Sequence, residues 1–283
     1  MRWTALIFGV LAGCGQATRP DPSLTSSYIW RMADDRFGGI SGISMADGGR
    51  SFIAVGDRGV FITGQVDRDQ TGQITAIINT VITPMLPPHH SGSELDSEGI
   101  AIRQDGTVFV SLEGRHQILS FGGISHTPQA LPQHPAFTTL QANGSLEALA
   151  IGPDGALFTI PERSGRAVWP FPVFRFQNGA WDIPFTIPRS DQFLITGADI
   201  GPDGRLYVLE RGFTGVGFRT RVRRMALDGS GIETLLQTSN ATHDNLEGIS
   251  VWSSPAGMRM TLVSDDNFRA LQQTELVEYA ISD

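Results

Sequence analysis

Five stretches of the chain carry acidic residues near the ends of two runs joined by a short turn. They are "GGISGISMADGGRSFIAVGDRG" (38–59), "DSEGIAIRQDGTVFVSLEG" (96–114), "SLEALAIGPDGALFTIPER" (145–163), "ITGADIGPDGRLYVLER" (195–211) and "NLEGISVWSSPAGMRMTLVSDDN" (245–267). In the third, two apolar runs flank a Pro-Asp-Gly turn, which reads as a tight hairpin. Centring that turn on Asp154-Gly155 sets Glu147 opposite Glu162. The same arithmetic sets Glu98 opposite Glu113, Glu247 opposite Asp265 and Ser41 opposite Asp57. The fourth stretch opposes Glu210 to Gly197, with Asp199 two residues on and on the same strand face. Like charges facing each other destabilise a strand pair. Two carboxylates about 5 Å apart repel by roughly 3 kcal/mol at an effective dielectric near 20. Such pairs persist by taking up protons, recruiting arginine or binding a cation. Arg58, Arg115, Arg163 and Arg211 each follow an outer acid within two residues. Hard divalent cations favour such an all-oxygen donor set, and Ca²⁺ in the channel mouth is the expected occupant.

The elements that must position these groups follow from the repeat. Glu98, Glu147, Gly197 and Glu247 are spaced by 49, 50 and 50 residues, and Ser41 lies 57 before Glu98. A period near 50 with three or four short strands per unit predicts an all-β fold, a β-propeller of five blades. A sixth blade would have to lie within 41–98 or 122–143. Later strands of each unit are read in "HQILSF" (116–121), "VFRF" (173–176), "RVRRMAL" (221–227) and "ELVEYAI" (275–281). The last unit ends after its third strand, so "SYIWRM" (27–32) is expected to pair with it and close the ring. Inner strands line a propeller's channel. The acids are therefore expected to gather at one mouth, with Glu98, Glu113, Glu147, Glu162, Asp199, Glu210, Glu247 and Asp265 as the metal-ligating set.

Charge and termini bound the partners. The net charge is −8 and every one of the 21 basic residues is arginine, which excludes a basic nucleic-acid footprint. Met1-Arg2, the apolar run Trp3–Leu11 and "LAGC" resemble a bacterial lipoprotein leader. On that reading residues 1–13 are a signal peptide, Cys14 carries the lipid, 14–27 form a tether and 28–283 form the propeller domain. The expected location is the bacterial cell envelope, facing the periplasm, on the outer membrane in preference to the inner. The membrane is met through the lipid alone, and the protein is expected to be a monomer. Cys14 is the sole cysteine, so internal disulfides are excluded.

The ordered set "DSEGIAI…DGTVFVSLEG", "LEALAIGPDGALFTIPER", "ADIGPDGRLYVLERGF" and "NLEGISV…LVSDDNF" resembles the phytase-like family, "esterase-like activity of phytase", over about residues 38–281. The resemblance implies a propeller and hydrolysis of phosphate or other esters of a small-molecule substrate. The matching positions are Glu98, Glu113, Glu147, Glu162, Arg163, Asp199, Glu210, Arg211, Glu247, Asp265, Asp266 and Asn267. Glu147, Glu247, Arg163 and Arg211 are the expected catalytic groups, with arginine gripping phosphate bidentately in the absence of lysine. Two other readings stay open. A glycosidase would use two of the carboxylates as acid and base or nucleophile, with Phe213, Trp252 or Phe268 near the sugar. A non-catalytic envelope module would use the acidic face to bind a ligand or partner. A serine hydrolase is disfavoured, since no G-x-S-x-G occurs. "DRDQTG" (67–72) opens like a calcium loop but has Ile78 at its twelfth place, which marks a turn. His89-His90 read as solvent-exposed, and His243 is a candidate acid–base beside "DNLEG".

Overall fold

The computed structural model describes residues 22–86, 95–141, 143–166 and 168–282. Cys14, the leader and His89-His90 lie outside them. The first strand, β1 (Ser23–Ile29), belongs to the last sheet. Blade 1 is β2 (Ile40–Ala46), β3 (Ser51–Gly56), β4 (Val60–Arg68) and β5 (Ile74–Pro84), and blade 2 is β6 (Ser97–Ile102), β7 (Val108–Leu112), β8 (Gln117–Phe121) and β9 (Gln129–Ala130). Blade 3 is β10 (Leu146–Ile151), β11 (Leu157–Pro161), β12 (Phe171–Gln177) and β13 (Ala180–Ile187). Blade 4 is β14 (Leu194–Ile200), β15 (Leu206–Phe213), β16 (Phe218–Met225) and β17 (Glu233–Gln237). Blade 5 is β18 (Leu246–Ser254), β19 (Gly257–Ser264) and β20 (Glu275–Ile281), completed by β1. The five-bladed propeller is thus as the repeat predicts. The longer first interval contains the extended β4–β5 hairpin instead of a sixth sheet among the described residues.

Closure occurs at the expected sheet, with one change of bounds. β1 pairs antiparallel with β20 from Ser23↔Ala280 to Ile29↔Glu275. Ser23–Ser27, read as tether, are therefore part of the propeller, and the closing strand ends at Ile29. Pairing there removes the exposed edge that three strands would leave.

Each blade interface has its own apolar core. Trp30, Ile40, Trp252 and Leu276 join blades 5 and 1, for example, and Ile160, Val173, Ile195 and Val208 join blades 3 and 4. At the axis the inner strands approach too closely for side chains. A Cβ on Gly99 would lie 2.7 Å from the Glu147 carbonyl oxygen, and one on Gly197 2.4 Å from that of Glu247. This is why the inner strands carry Gly or Ala directly after their bulge.

The hairpin turns share one device. Asp105, Asp154 and Asp203 each accept through Oδ1 from the amide two residues on, at 3.0, 3.1 and 3.2 Å. Asp69 does likewise for Thr71 and Gln73, at 2.8 and 3.0 Å, so "DRDQTG" is a turn.

Candidate functional site

Every inner strand contains a register shift near its first residues, and this sets the site. Pairing jumps between Ile40 and Gly42, Ser97 and Ile100, Leu146 and Ala148, Ile195 and Gly197, and Leu246 and Gly248. Ser41, Glu98, Glu147, Thr196 and Glu247 therefore sit in bulges, and bulges re-aim side chains. The facing pairs expected from turn arithmetic do not form. Instead the outer acids Asp57, Glu113, Glu162 and Asp265 follow directly after the last paired residue of β3, β7, β11 and β19.

In blade 4 the bulge falls at Thr196, one residue before the predicted Gly197, and this moves two expected ligands away. The outer place belongs to Arg211, because Glu210 still pairs with Ile195. Glu210 faces the other side of β15 and is fully buried. There it accepts from Arg221 Nε at 2.6 Å and from Arg223 Nε and Nη2 at 2.8 and 2.6 Å. Asp199, three residues and about 10 Å beyond Thr196 along the strand, lines the opposite mouth beside the hairpin turns. Its Oδ2 accepts from the Val251 amide at 2.6 Å and its Oδ1 from the Ile200 amide at 2.8 Å. Neither residue joins the cluster.

The remaining acids do converge. A cavity of about 290 Å³ at one mouth is lined by Asp57, Asp96, Glu98, Glu113, Glu147, Glu162, Glu247 and Asp265, together with Arg163 and Arg211. Eight carboxylates thus meet two guanidinium groups. Below them the channel narrows to about 10 Å³, which separates this mouth from the other.

The two arginines differ in availability. Arg211 donates to Glu162 Oε1 at 3.0 Å, to Asn245 Oδ1 at 2.6 Å and to Glu247 Oε1. Asn245 Nδ2 also donates to Glu247 Oε1 at 2.8 Å. Arg211 is therefore the counter-ion of the blade 3–5 side, and Glu247 is fixed beneath it. Arg163 uses Nε on Glu162 Oε2 at 2.9 Å, and its side chain is 45% exposed at the rim. Arg58 instead lies over the Phe268 ring, 3.3 Å from its centroid.

The blade 1–2 side has a different character. Carboxylate oxygens of Asp96, Glu98 and Glu113 lie within 4.8 Å of one another. Asp57 Oδ1 is buried without a hydrogen-bond partner. Burial, then the charges of Glu247, Asp96, Glu113 and Asp57, raises the Glu98 carboxyl well above its ordinary range. Glu147 is raised likewise by burial, then by Glu98, Glu113 and Glu162. Burial lifts Asp57 to about 6 against the pull of Arg58, and lifts Asp265 to about 8 with help from Glu247. Oxygen ligands of Ca²⁺ stand about 2.3–2.6 Å from the ion, so three of them within 5 Å of each other can share one. The donor set, the crowding and the orphaned Asp57 oxygen all fit such a cation.

Asp96 is absent from the expected set. Its signal is positional: it precedes Glu98 by two residues, as Asn245 precedes Glu247. Of the other candidates, His243 is buried outside this cavity, with Nε2 2.6 Å from Tyr279 Oη. Trp252 is buried at the blade 5–1 interface, its Nε1 donating to Thr261 Oγ1 at 2.9 Å.

Comparison with known proteins bears on these observations. The model of one family, phytase-like ("esterase-like activity of phytase"), matches residues 35–268. No curated protein matches the chain. Among solved structures, the calcium-binding protein regucalcin from Agrobacterium tumefaciens is similar at 9% identity, over 86% of this chain and 90% of its own, with a TM-score of 0.51. The PQQ-bound aldose sugar dehydrogenase from Streptomyces coelicolor is similar at 14% identity, over 92% and 99%, with a TM-score of 0.49. At these identities the likeness is one of fold.

Proposed function

The chain belongs to the phytase-like family, and from that premise we propose that it is a cation-dependent ester hydrolase acting on a phosphate or other ester. The observation that carries this reading is the cavity where eight carboxylates meet two arginines. Asp96, Glu98 and Glu113, with Asp57 beside them, would hold the cation. Ca²⁺ is the ion we favour; regucalcin, similar in fold, is described as calcium-binding. A bound Ca²⁺ would supply positive charge for the ester's developing negative charge.

The chain's own groups do the rest. Arg163 keeps its Nη donors toward the rim, where they can hold two oxygens of an anionic ester. Arg211 holds Glu162 and Glu247 in place and leaves the anion to Arg163. Glu147 stands between the two sides; the positive charge of a bound cation would favour its ionised form against the burial that raises it, and in that form it takes a proton from water. That water's oxygen bonds to phosphorus or the acyl carbon, the bond to the alkoxy oxygen breaks, and the proton passes from Glu147 to the released alcohol. The test is hydrolysis of p-nitrophenyl phosphate and p-nitrophenyl acetate with and without Ca²⁺. Turnover that needs Ca²⁺ and drops at least a hundredfold in Glu147→Gln supports the reading. Metal-independent turnover, or none with either ester, contradicts it. A Ca²⁺-dependent rise in melting temperature without turnover would favour the binding-module alternative.

We place the protein in the bacterial envelope as a monomer, facing the periplasm and anchored by a lipid on Cys14. Ser23 pairs with Ala280 at the hairpin-turn end of blade 5, while Asp265 and the acidic mouth lie at the other end. A tether joined there would turn the acidic mouth away from the membrane. Recovery of Cys14→Ser in the soluble fraction supports the anchor; retention in the membrane fraction contradicts it.

A further inference from the structure

Beside the acidic mouth lies a larger cleft, of about 970 Å³. Its rim carries Phe213, Val216 and Leu271, which are 61, 86 and 97% exposed. Three large apolar side chains around one concavity are unusual for a surface meeting only water. Phe213 and Phe218 add a ring pair, with centroids 5.3 Å apart. Polar groups, Gln273 and His243 among them, also line the cleft.

The cleft and the mouth have no lining residue in common, but the same stretches of chain line both. The end of β15 leaves the mouth at Arg211 and enters the cleft at Phe213. The Arg211 guanidinium carbon lies 5.8 Å from the centroid of the Phe218 ring, which lines the cleft. The strand entering β18 passes from His243 and Asp244 in the cleft to Glu247 in the mouth. The loop after β19 begins with Asp265 in the mouth and continues to Leu271 in the cleft. Three successive segments thus run from one cavity into the other.

We propose that this cleft binds the apolar alkyl or aromatic part of the substrate whose ester group lies at the acidic mouth. The inference rests on the reading of that mouth as a hydrolase site and narrows its substrate class. An amphiphilic ester, anionic or polar at one end and apolar at the other, fits both cavities at once. A polyphosphorylated polyol such as phytate carries no apolar part and would leave the cleft empty. Continuity of the walls favours a small amphiphile over a second protein chain.

The test uses two probes. Binding of hexyl phosphate and methyl phosphate to the Ca²⁺-loaded protein is compared by calorimetry. Each methylene that becomes buried is worth about fourfold in affinity, so hexyl phosphate should bind at least tenfold tighter. In the Phe213→Ser/Leu271→Ser double variant this preference should fall below threefold while Ca²⁺ affinity stays the same. Both positions are exposed, so the fold should tolerate the change. Equal affinity for the two phosphates overturns the proposal. In parallel, the neutral fluorophore N-phenyl-1-naphthylamine is titrated into Ca²⁺-free protein. Binding that the double variant abolishes supports the cleft even where Ca²⁺ fails to bind and the hydrolase reading falls. Binding that is absent, or unaltered in the variant, overturns it. A wild-type dimer that the double variant converts to monomer would make the occupant a second copy of the chain, which also overturns it.

Discussion

Replacing Glu98 by Gln separates the two states of the acidic mouth. Without a cation, burial and four neighbouring carboxylates hold the Glu98 carboxyl well above its ordinary range, which favours its protonated form. Glutamine matches a protonated glutamate in size and charge. The cation-free variant should therefore stay within about 1 kcal/mol of the parent, the range of a near-isosteric change. With Ca²⁺ the two should part. For a site of Kd about 10 μM, 1 mM Ca²⁺ stabilises the folded state by about 2.7 kcal/mol. At about 2–4 °C per kcal/mol, that is a rise of about 5–10 °C in Tm. Glu98 lies within 4.8 Å of both Asp96 and Glu113, so its loss removes a central charged ligand. A hundredfold weaker site would leave about 0.4 kcal/mol at the same Ca²⁺ concentration, close to 1 °C. Differential scanning fluorimetry with and without Ca²⁺ reads both arms. An unchanged Ca²⁺-induced rise in Glu98→Gln would refute the reasoning. So would a large stabilisation of the cation-free variant at pH 7, because it would mean that Glu98 is charged there.

Three further outcomes are expected. Asp57 at about 6 and Asp265 at about 8 bind their protons more tightly folded than unfolded, where a carboxyl titrates near about 4. Their stabilisation is thus full below about pH 4 and is lost as pH rises through about 6 and then about 8. Urea denaturation between pH 4 and 9 should show this decline without Ca²⁺ and a flatter profile with it; a Ca²⁺-free protein that gains stability over that range contradicts the assignment. Arg211→Gln leaves Glu247 without its counter-ion and Glu162 with Arg163 alone, and should cost about 3–5 kcal/mol by denaturation, a loss under 1 kcal/mol being the contrary result. Glu210→Gln, which breaks the buried contact with Arg221 and Arg223, should destabilise by a similar amount yet leave the Ca²⁺ Kd within twofold. A lost Ca²⁺ site in that variant would put Glu210 back in the mouth.

Much of the fold is legible in the amino-acid string because its hairpins are local. Asp-Gly turns and apolar runs recur at about fifty residues, and each marks β-strands that pair with their neighbours. The closing strand is legible from the three-strand final unit, although its bounds shift by a few residues to Ser23–Ile29. The bulges are not legible, and they decide the site. A bulge inserts one residue without a compositional mark, so alignment on apolar runs sets Gly197, not Thr196, beside Glu98. That one-residue slip exchanges the two faces of a strand. That slip is why Glu210 reads as the outer acid where Arg211 stands, whereas Asp199 reads as a mouth residue from the period of two alone, although it lies about 10 Å along the strand. Asp96 escapes for a related cause: it stands just before β6, where hairpin arithmetic has no partner to assign.

The central claim is that the blade 1–2 side of the acidic mouth holds one cation. Anomalous diffraction from a crystal soaked in millimolar Ca²⁺ tests it most directly. A single strong peak is expected about 2.3–2.6 Å from carboxylate oxygens of Asp96, Glu98 and Glu113. A crystal with no peak there, or with its only peak beside Asp199 at the opposite mouth, would contradict it.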